Sequence, residues 1–332
     1  MLNNEKIGIA IVTYNRTHLL EILYRSLPLE KIDNIIIIND GSYFESIVIP
    51  NEIIIHNNSN IGVGASKNKA LRYLIDSDVD HFFIFEDDVY VKNSNFIEAY
   101  ISASKSTGIQ HFNFGLHKRI NYKKNNKKNF KYQLSYNEAN LVTYSACFAA
   151  MSYYSKECIV ETGLMDEGFY NALEHLEHTF RCGLDFNHTP YWDFVDLADS
   201  DFYIEDIEIE YKSAISNNEN HNNIIDTANK YFFDKYGYEI DQIKATDFLD
   251  FLFHLNQIYR KIKNEGLDES FYYEFVNNNY KIIENDILKN MRQKKYEKFK
   301  EKKLFISSRI NPLKKIRFNF LLCISYLLGR LR

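Results

Sequence analysis

Phe82-Phe83-Ile84-Phe85-Glu86-Asp87-Asp88 runs four apolar residues straight into three carboxylates. The apolar run is continuous rather than alternating, which predicts a strand buried on both faces, as in a parallel sheet covered by helices. Three adjacent carboxylates repel one another, and a divalent cation relieves that repulsion. The carboxyl ends of parallel strands are also where open α/β sheets bind ligands. Taken alone, the three acids read equally well as a solvated turn.

Toward the N-terminus the same arrangement recurs. Residues 7–12 (IGIAIV) predict a first strand, followed by Thr13-Tyr14-Asn15-Arg16. Residues 35–38 (IIII) predict a second, followed by Asn39-Asp40-Gly41-Ser42, and residues 53–56 (IIIH) a short third. Residues 19–27 (LLEILYRSL) and 66–76 (SKNKALRYLID) have helical spacing, the latter preceded by a loop over 60–64. Strand and helix in this order, with fully apolar strands, predict an α/β layer with a parallel sheet. Polar and Gly-containing segments thus sit repeatedly at the sheet's ligand edge. Tyr14 is placed there to stack on a base, Asp40 to accept a base N–H, and Lys67 to meet a phosphate. Each has a plainer use: a helix cap for Thr13–Asn15, a turn at Asp40, a solvated helix lysine at Lys67.

In sequence order, TYNR (13–16), NDGS (39–42), NIGVGASKNKAL (60–71) and FIFEDDVYV (83–91) resemble the successive N-terminal motifs of GT-A glycosyltransferases, particularly the family 2 type. The resemblance is dense over residues 5–92 and sparser over 163–183. It implies a GT-A α/β domain over 1–215, with a mostly parallel sheet flanked by helices. A helical region over 216–300 and a basic amphipathic tail over 301–332 would follow. It further implies that Thr13, Tyr14, Asn15, Arg16 and Asp40 hold the nucleobase and ribose. Asp87 would contact the ribose, and Asp88 would hold Mn²⁺ or Mg²⁺.

A second block runs Asp166-Glu167-Gly168-Phe169, then Leu173-Glu174-His175-Leu176-Glu177-His178-Thr179-Phe180-Arg181. On a helix Glu174, Glu177, His178 and Arg181 share one face, and Leu173, Leu176 and Phe180 form a buried stripe. The block is similar to the family segment that opens with the catalytic acid, but has His175 where Asp is common. A sugar hydroxyl is a poor nucleophile, so a carboxylate must remove its proton as the bond to C1 forms. Glu174 is the expected base, with His175 acting beside it or in its place. An amphipathic helix with an exposed polar face is the plainer reading. His188, Asp196, Asp199 and His221 are candidates for a third metal ligand, and Tyr191 with Trp192 for stacking on a sugar ring.

Composition sets the frame. With 332 residues, 45% of them hydrophobic, the chain buries a substantial core, which excludes a wholly disordered protein. Four Cys without a CxxC pair exclude a disulfide framework. The first apolar run is too short for a signal-peptide core, and no stretch approaches the ~20 apolar residues of a bilayer span. A cytoplasmic location is therefore expected. The net charge of −5 hides an asymmetry: residues 289–332 hold 14 Lys/Arg against 2 acids, a local +12, which leaves −17 on the rest. Lys314, Lys315 and Arg317 precede an apolar run over 318–328, and Arg330 and Arg332 follow it. That pattern predicts a helix lying on an anionic membrane surface, or else packed on the protein's own acidic body. Residues 122–131 are basic and expected as a mobile loop, and 247–262 and 271–288 as helices. No nucleic-acid-binding motif is present.

The function expected from the resemblance is metal-dependent transfer of a hexosyl or N-acetylhexosaminyl group. The donor is a nucleotide-diphosphate sugar, expected to be a UDP-sugar, and the acceptor a hydroxyl of a surface glycan or lipid-linked glycan. Inversion at the anomeric carbon is implied. A sugar-phosphate nucleotidyltransferase is the rival enzyme, but the Gly-rich N-terminal signature it needs is absent. Against an inactive carbohydrate- or membrane-binding module stand the intact Asp88 and Glu174.

Overall fold

The computed structural model describes residues 4–46, 48–190, 193–207, 221–240 and 248–292, with parts of 302–315. The four expected strands are four of the six in one sheet. β1 (Ile7–Thr13) is flanked by β2 (Asn34–Asn39) and β4 (His81–Glu86), both parallel to it, and β3 (Ile54–His56) lies beyond β2. β9 (Met151–Ser155) runs antiparallel to β4, and β6 (His111–Asn113) antiparallel to β9, so β6 points the same way as the first four. The order is β3-β2-β1-β4-β9-β6.

Every residue of β1 is buried because helices cover both faces. Ala10, Phe82 and Ile84 pack with Ala70, Leu71 and Leu74 of α2 (Val63–Asp76). Ile9, Ile11, Phe83 and Phe85 face the other way. They pack with α1 (Thr17–Ser26) through Leu20 and Leu23, and with α3 (Phe96–Thr107) through Phe96 and Tyr100. Parallel pairing carries the functional consequence. Thr13 is registered with Asn39 and Val12 with Glu86, so the segments after β1, β2 and β4 all emerge at one edge.

Two smaller sheets were not expected. β7 (Tyr132–Tyr136), β8 (Ala139–Tyr144) and β10 (Phe194–Leu197) form an antiparallel sheet in the order β10-β8-β7. β5 (Val89–Val91), directly after the acidic triplet, pairs antiparallel with β11 (Ile204–Asp206). Helices α4 (Lys156–Thr162), α5 (Glu174–Leu184) and α6 (Ser200–Tyr203) complete this part of the chain.

The C-terminal region is helical: α7 (His221–Tyr236), α8 (Phe248–Lys263), α9 (Glu269–Asn278) and α10 (Tyr280–Arg292). The single helix expected over 271–288 is broken at Asn279. Its buried amide accepts from the Gln133 N–H and donates to the Gln133 carbonyl, both at 2.8 Å, satisfying edge strand β7 as another strand would. Asn279→Ala should therefore lower the unfolding free energy by about 2 kcal/mol in urea titration, since two backbone groups lose their partner. Described tail residues pack on this region. Ile306 and Ile310 are buried in the main core, Arg309 donates to Glu269 at 2.7 Å, and Lys314 Nζ donates to the Asn277 carbonyl at 2.7 Å. The apolar run 318–328 lies outside the described residues. Among those described, no helix is long and apolar enough to cross a membrane.

Candidate active site

Thr13, Asp87 and Asp88 meet at the carboxyl edge of the sheet. Thr13 Oγ1 donates to Asp87 Oδ2 at 2.5 Å. The Arg16 guanidinium bridges the two acids: one nitrogen pairs with Asp87, and the other lies 3.2 Å from Asp88 Oδ2. The acids are shifted in opposite directions. Burial pushes the Asp87 carboxyl up to about 7 against the pull of Arg16, and the charge of Asp88 adds to the rise. Asp88 is also buried, but His117, Arg16 and Lys118 overcome that effect and hold it well below the usual carboxylate range. Its Oδ1 is buried and has no hydrogen-bond partner.

His117 and Asp206 join this cluster, and sequence reasoning missed both. His117 Nε2 stands 3.6 Å from Asp88 Oδ2, and His117 Nδ1 is 2.6 Å from Asp206 Oδ1. The Lys118 N–H donates to Asp206 Oδ2 at 2.7 Å, and the Ile207 N–H to the Asp88 carbonyl at 3.1 Å. Burial lowers the His117 pKa, but Asp206 and Asp88 outweigh it and bring it up to about 9. With Asp206 on Nδ1, the ring is oriented so that Nε2 faces Asp88, the arrangement by which a carboxylate commonly orients a metal-binding imidazole. Two ligands each ~2.1 Å from one cation lie about 3–4 Å apart, so the Asp88–His117 separation suits a shared ion that takes the place of the Nε2 proton. Among the described residues no group of three or more His, Cys, Asp or Glu could hold a metal. The remaining positions on such an ion would fall to phosphate oxygens and water, as is usual for Mg²⁺. The one signal pointing to His117 was its place just after strand β6, at the same edge.

Lys67 is almost fully buried on α2, with Nζ 2.8 Å from Glu86 Oε1 and 3.1 Å from Glu174 Oε1. Its charge is thus matched by two carboxylates, and it faces them where a phosphate contact was expected. Glu174 opens α5 and is itself buried. Burial raises its pKa, but Lys67 and His175 win and keep it ionised, well below the usual range. His175 Nδ1 lies 3.4 Å from Glu174, and its Nε2 is 3.0 Å from the Cys147 carbonyl. Gly64 lets α2 come this close, since a Cβ there would lie 3.2 Å from Glu174 Cβ.

The polar helix face, which the plainer reading left exposed, is covered. Glu174, Glu177 and His178 are all buried. Leu173 caps the helix with φ of 65° and still packs with Leu176 against Phe180, as the expected apolar stripe requires. Helix α7 provides the cover: Lys235 Nζ and Tyr236 OH donate to Glu177 Oε1 at 2.8 and 2.6 Å. Arg181 donates to the same Glu177 oxygen and to the Thr162 and Leu164 carbonyls. Glu177 and Arg181 therefore hold the fold together.

Asp40 lies at the same edge but turns toward the loop before α2. It accepts from Asn57 Nδ2 at 2.8 Å and from the Ile61 and Gly62 N–H groups at 2.9 Å. Asn15, at φ of 54°, accepts from the Ser42 N–H at 2.7 Å and sits so close to Gly41 that a Cβ there would clash. Tyr14 is exposed. Three of the four third-ligand candidates, His188, Asp196 and Asp199, have other partners or surroundings. His188 is buried beside Glu161 at 3.0 Å, and Asp196 accepts from Tyr100 OH and the Gly115 N–H. Asp199 lines a groove of about 660 Å³ with Ala99 and Asn137. Tyr191, Trp192 and the side chain of His221 lie outside the described residues.

Carboxylates and cations thus gather at the carboxyl edge of a mostly parallel sheet, Arg16, His117 and Lys118 around Asp87 and Asp88. The chain is similar to solved GT-A glycosyltransferases. These include residues 1–349 of TarS from S. aureus, at TM-score 0.44 and 12% identity over 76% of this chain and 81% of that one. The same fragment in complex with UDP-GlcNAc gives 0.40 and 12%, over 92% and 91%. The mannosyltransferase PcManGT from Pyrobaculum calidifontis, in complex with GDP-Man and Mn²⁺, gives 0.34 and 10%, over 53% and 52%. At these values the likeness says nothing of donor or activity. No family model and no curated protein matches the chain.

Proposed function

We propose that this protein is a divalent-metal-dependent glycosyltransferase of the GT-A, family 2 kind, acting with inversion on a nucleotide-diphosphate sugar, in the first instance a UDP-sugar. The observation that carries this reading is Asp88, with a buried, unpartnered oxygen, facing an imidazole that Asp206 orients. Asp88 and His117 would hold Mn²⁺ or Mg²⁺, which when bound offsets the charge of the departing nucleotide. Arg16 and Lys118 ring the same carboxylate and add positive charge where that diphosphate would lie. Thr13 fixes Asp87, and Asn15 with Gly41 shapes the edge on which the nucleoside rests. Glu174, kept ionised by Lys67, receives the proton of the acceptor hydroxyl as the bond to C1 forms. The acceptor is a hydroxyl of a glycan or lipid-linked glycan. Thermal shift with UDP tests the core of this reading: Mn²⁺ should produce a UDP-dependent rise in melting temperature that chelation abolishes. No shift with any nucleoside diphosphate, in Mn²⁺ or Mg²⁺, would sink it.

We further propose a cytoplasmic enzyme held at the inner face of the membrane by residues 316–332. Because Ile306 and Ile310 belong to the core, the informative truncation begins at 316 and not at 301. Removing 316–332 should leave donor hydrolysis unchanged and cut co-sedimentation with anionic vesicles, each basic residue near such a surface contributing about 1 kcal/mol at most. Equal sedimentation of both proteins would reject the membrane role.

A further inference from the structure

Between Glu98 and Glu138 the sequence contains no Asp or Glu, while residues 118–131 hold Lys118, Arg119, Lys123, Lys124, Lys127, Lys128 and Lys131. The first 288 residues carry −17, so this stretch stands against the charge of the body around it. Expected as a mobile loop, it is a pinned hairpin. Tyr122 and Lys128 form an antiparallel bridge, the Lys123 N–H donates to the Lys127 carbonyl at 2.8 Å, and the Asn126 N–H to the Lys123 carbonyl at 2.9 Å. At its base the buried Asn121 donates to the Gly115 and Ala146 carbonyls at 2.6 and 2.8 Å.

Both legs fasten to the segment that ends in Asp206. The Lys118 N–H is on Asp206, and Lys128 Nζ reaches Asp201 Oδ1 at 2.6 Å and the Ala198 carbonyl at 2.7 Å. Lys118 Nζ itself lies 3.6 Å from Asp88, so the hairpin starts at the rim of the proposed metal and donor cleft. Arg119, Lys123, Lys124 and Lys127 are exposed and have no carboxylate partner among the described residues. Arg119 ties the hairpin together by donating to Asn126 Oδ1 at 2.7 Å and lying over the Tyr122 ring, while Lys123, Lys124 and Lys127 leave a cluster of like charge that an anion from outside would relieve.

We propose that this hairpin docks a polyanionic acceptor, a glycan chain carrying phosphodiester groups, and guides its hydroxyl end into the Asp88 cleft. The inference rests on the transferase reading and adds the chemical class of the acceptor. A phospholipid surface offers similar phosphates, but the tip, Lys123-Lys124-Asn125-Asn126-Lys127, has no apolar side chain to insert. Its cations also begin at the cleft and run outward along a single element, which suits a chain.

The test compares the full-length protein with a Lys123→Ala/Lys124→Ala/Lys127→Ala variant, using fluorescently labelled linear polyphosphate as the probe. Wild type should bind it with an affinity that falls as salt rises, and the variant about tenfold or more weakly. Melting temperature and donor hydrolysis without acceptor should be the same in both. Equal polyphosphate affinity in the two proteins overturns the proposal. An equal loss on phosphatidylglycerol vesicles also overturns it, by assigning the cations to a lipid surface. Failure of both proteins to hydrolyse any nucleotide sugar overturns the transferase reading instead, and the acceptor role with it.

Discussion

Asp88→Asn should reduce sugar transfer by about a thousandfold or more while leaving the protein folded, because a cation's charge stabilisation is worth several kcal/mol and this carboxylate is its proposed anchor. The substitution keeps the shape and removes one negative charge from between Arg16, His117 and Lys118. Arg16 retains Asp87, and His117 retains Asp206, so no buried cation is left without a carboxylate. The fold therefore survives, with a loss on the order of 1–3 kcal/mol for the broken pair. Three measurements separate the effects: the melting curve, Mn²⁺-dependent UDP binding, and transfer. Folding should persist, metal-dependent nucleotide binding should vanish, and transfer should vanish with it. Activity within tenfold of wild type would move the cation away from Asp88. Asp206→Asn is the graded companion, acting on the cation through His117 while the amide oxygen can still accept from the Lys118 N–H, and should weaken Mn²⁺ by about 10–100-fold.

What was legible in the sequence was local. Continuous apolar runs ending in Thr13, Asn39 and Glu86 mark buried parallel strands, and parallel strands bring their carboxyl ends to one edge whatever follows. Asp87 and Asp88 could thus be placed from the chain alone. Lys67 could not, because its environment is made by Glu86 and Glu174 from two other elements. His117 and Asp206 were hidden for the same reason. Their meeting depends on β5 pairing with β11 and on a single N–H of Lys118. The β7–β8 hairpin was missed on its turn chemistry. Asn137-Glu138 occupies positive φ at both positions, where Asn-Gly is the usual signal and a glutamate is uncommon. Helix α5 shows the same limit. Its regular polar face left exposure open as the plainer reading, and only the arrival of Lys235 and Tyr236 from α7 explains why Glu177 is buried.

Glu174→Gln is the second large expected effect, a loss of about 10²–10⁴-fold in transfer with UDP–Mn²⁺ binding retained. The depressed pKa of this carboxylate bears on how it can act as a base. A weakly basic group does not deprotonate a free hydroxyl, but the attacking oxygen becomes acidic as its bond to C1 forms, and an ionised acceptor held in place then suffices. Lys67 keeps Glu174 ionised and immobile. In the Gln variant Lys67 still has Glu86 at 2.8 Å, so the buried ammonium remains paired and the site keeps its shape. Donor binding should be untouched, because Glu174 makes no contact with Asp87 or Asp88 in the bonds that hold the cleft. His175 provides the control. Its Nε2 is engaged by the Cys147 carbonyl and its Nδ1 faces Glu174, so it orients the base and is not itself turned to a substrate. His175→Ala should accordingly cost far less than Glu174→Gln. The reverse order, a dead His175→Ala beside an active Glu174→Gln, would transfer the base to the imidazole and leave Glu174 as the group that positions it.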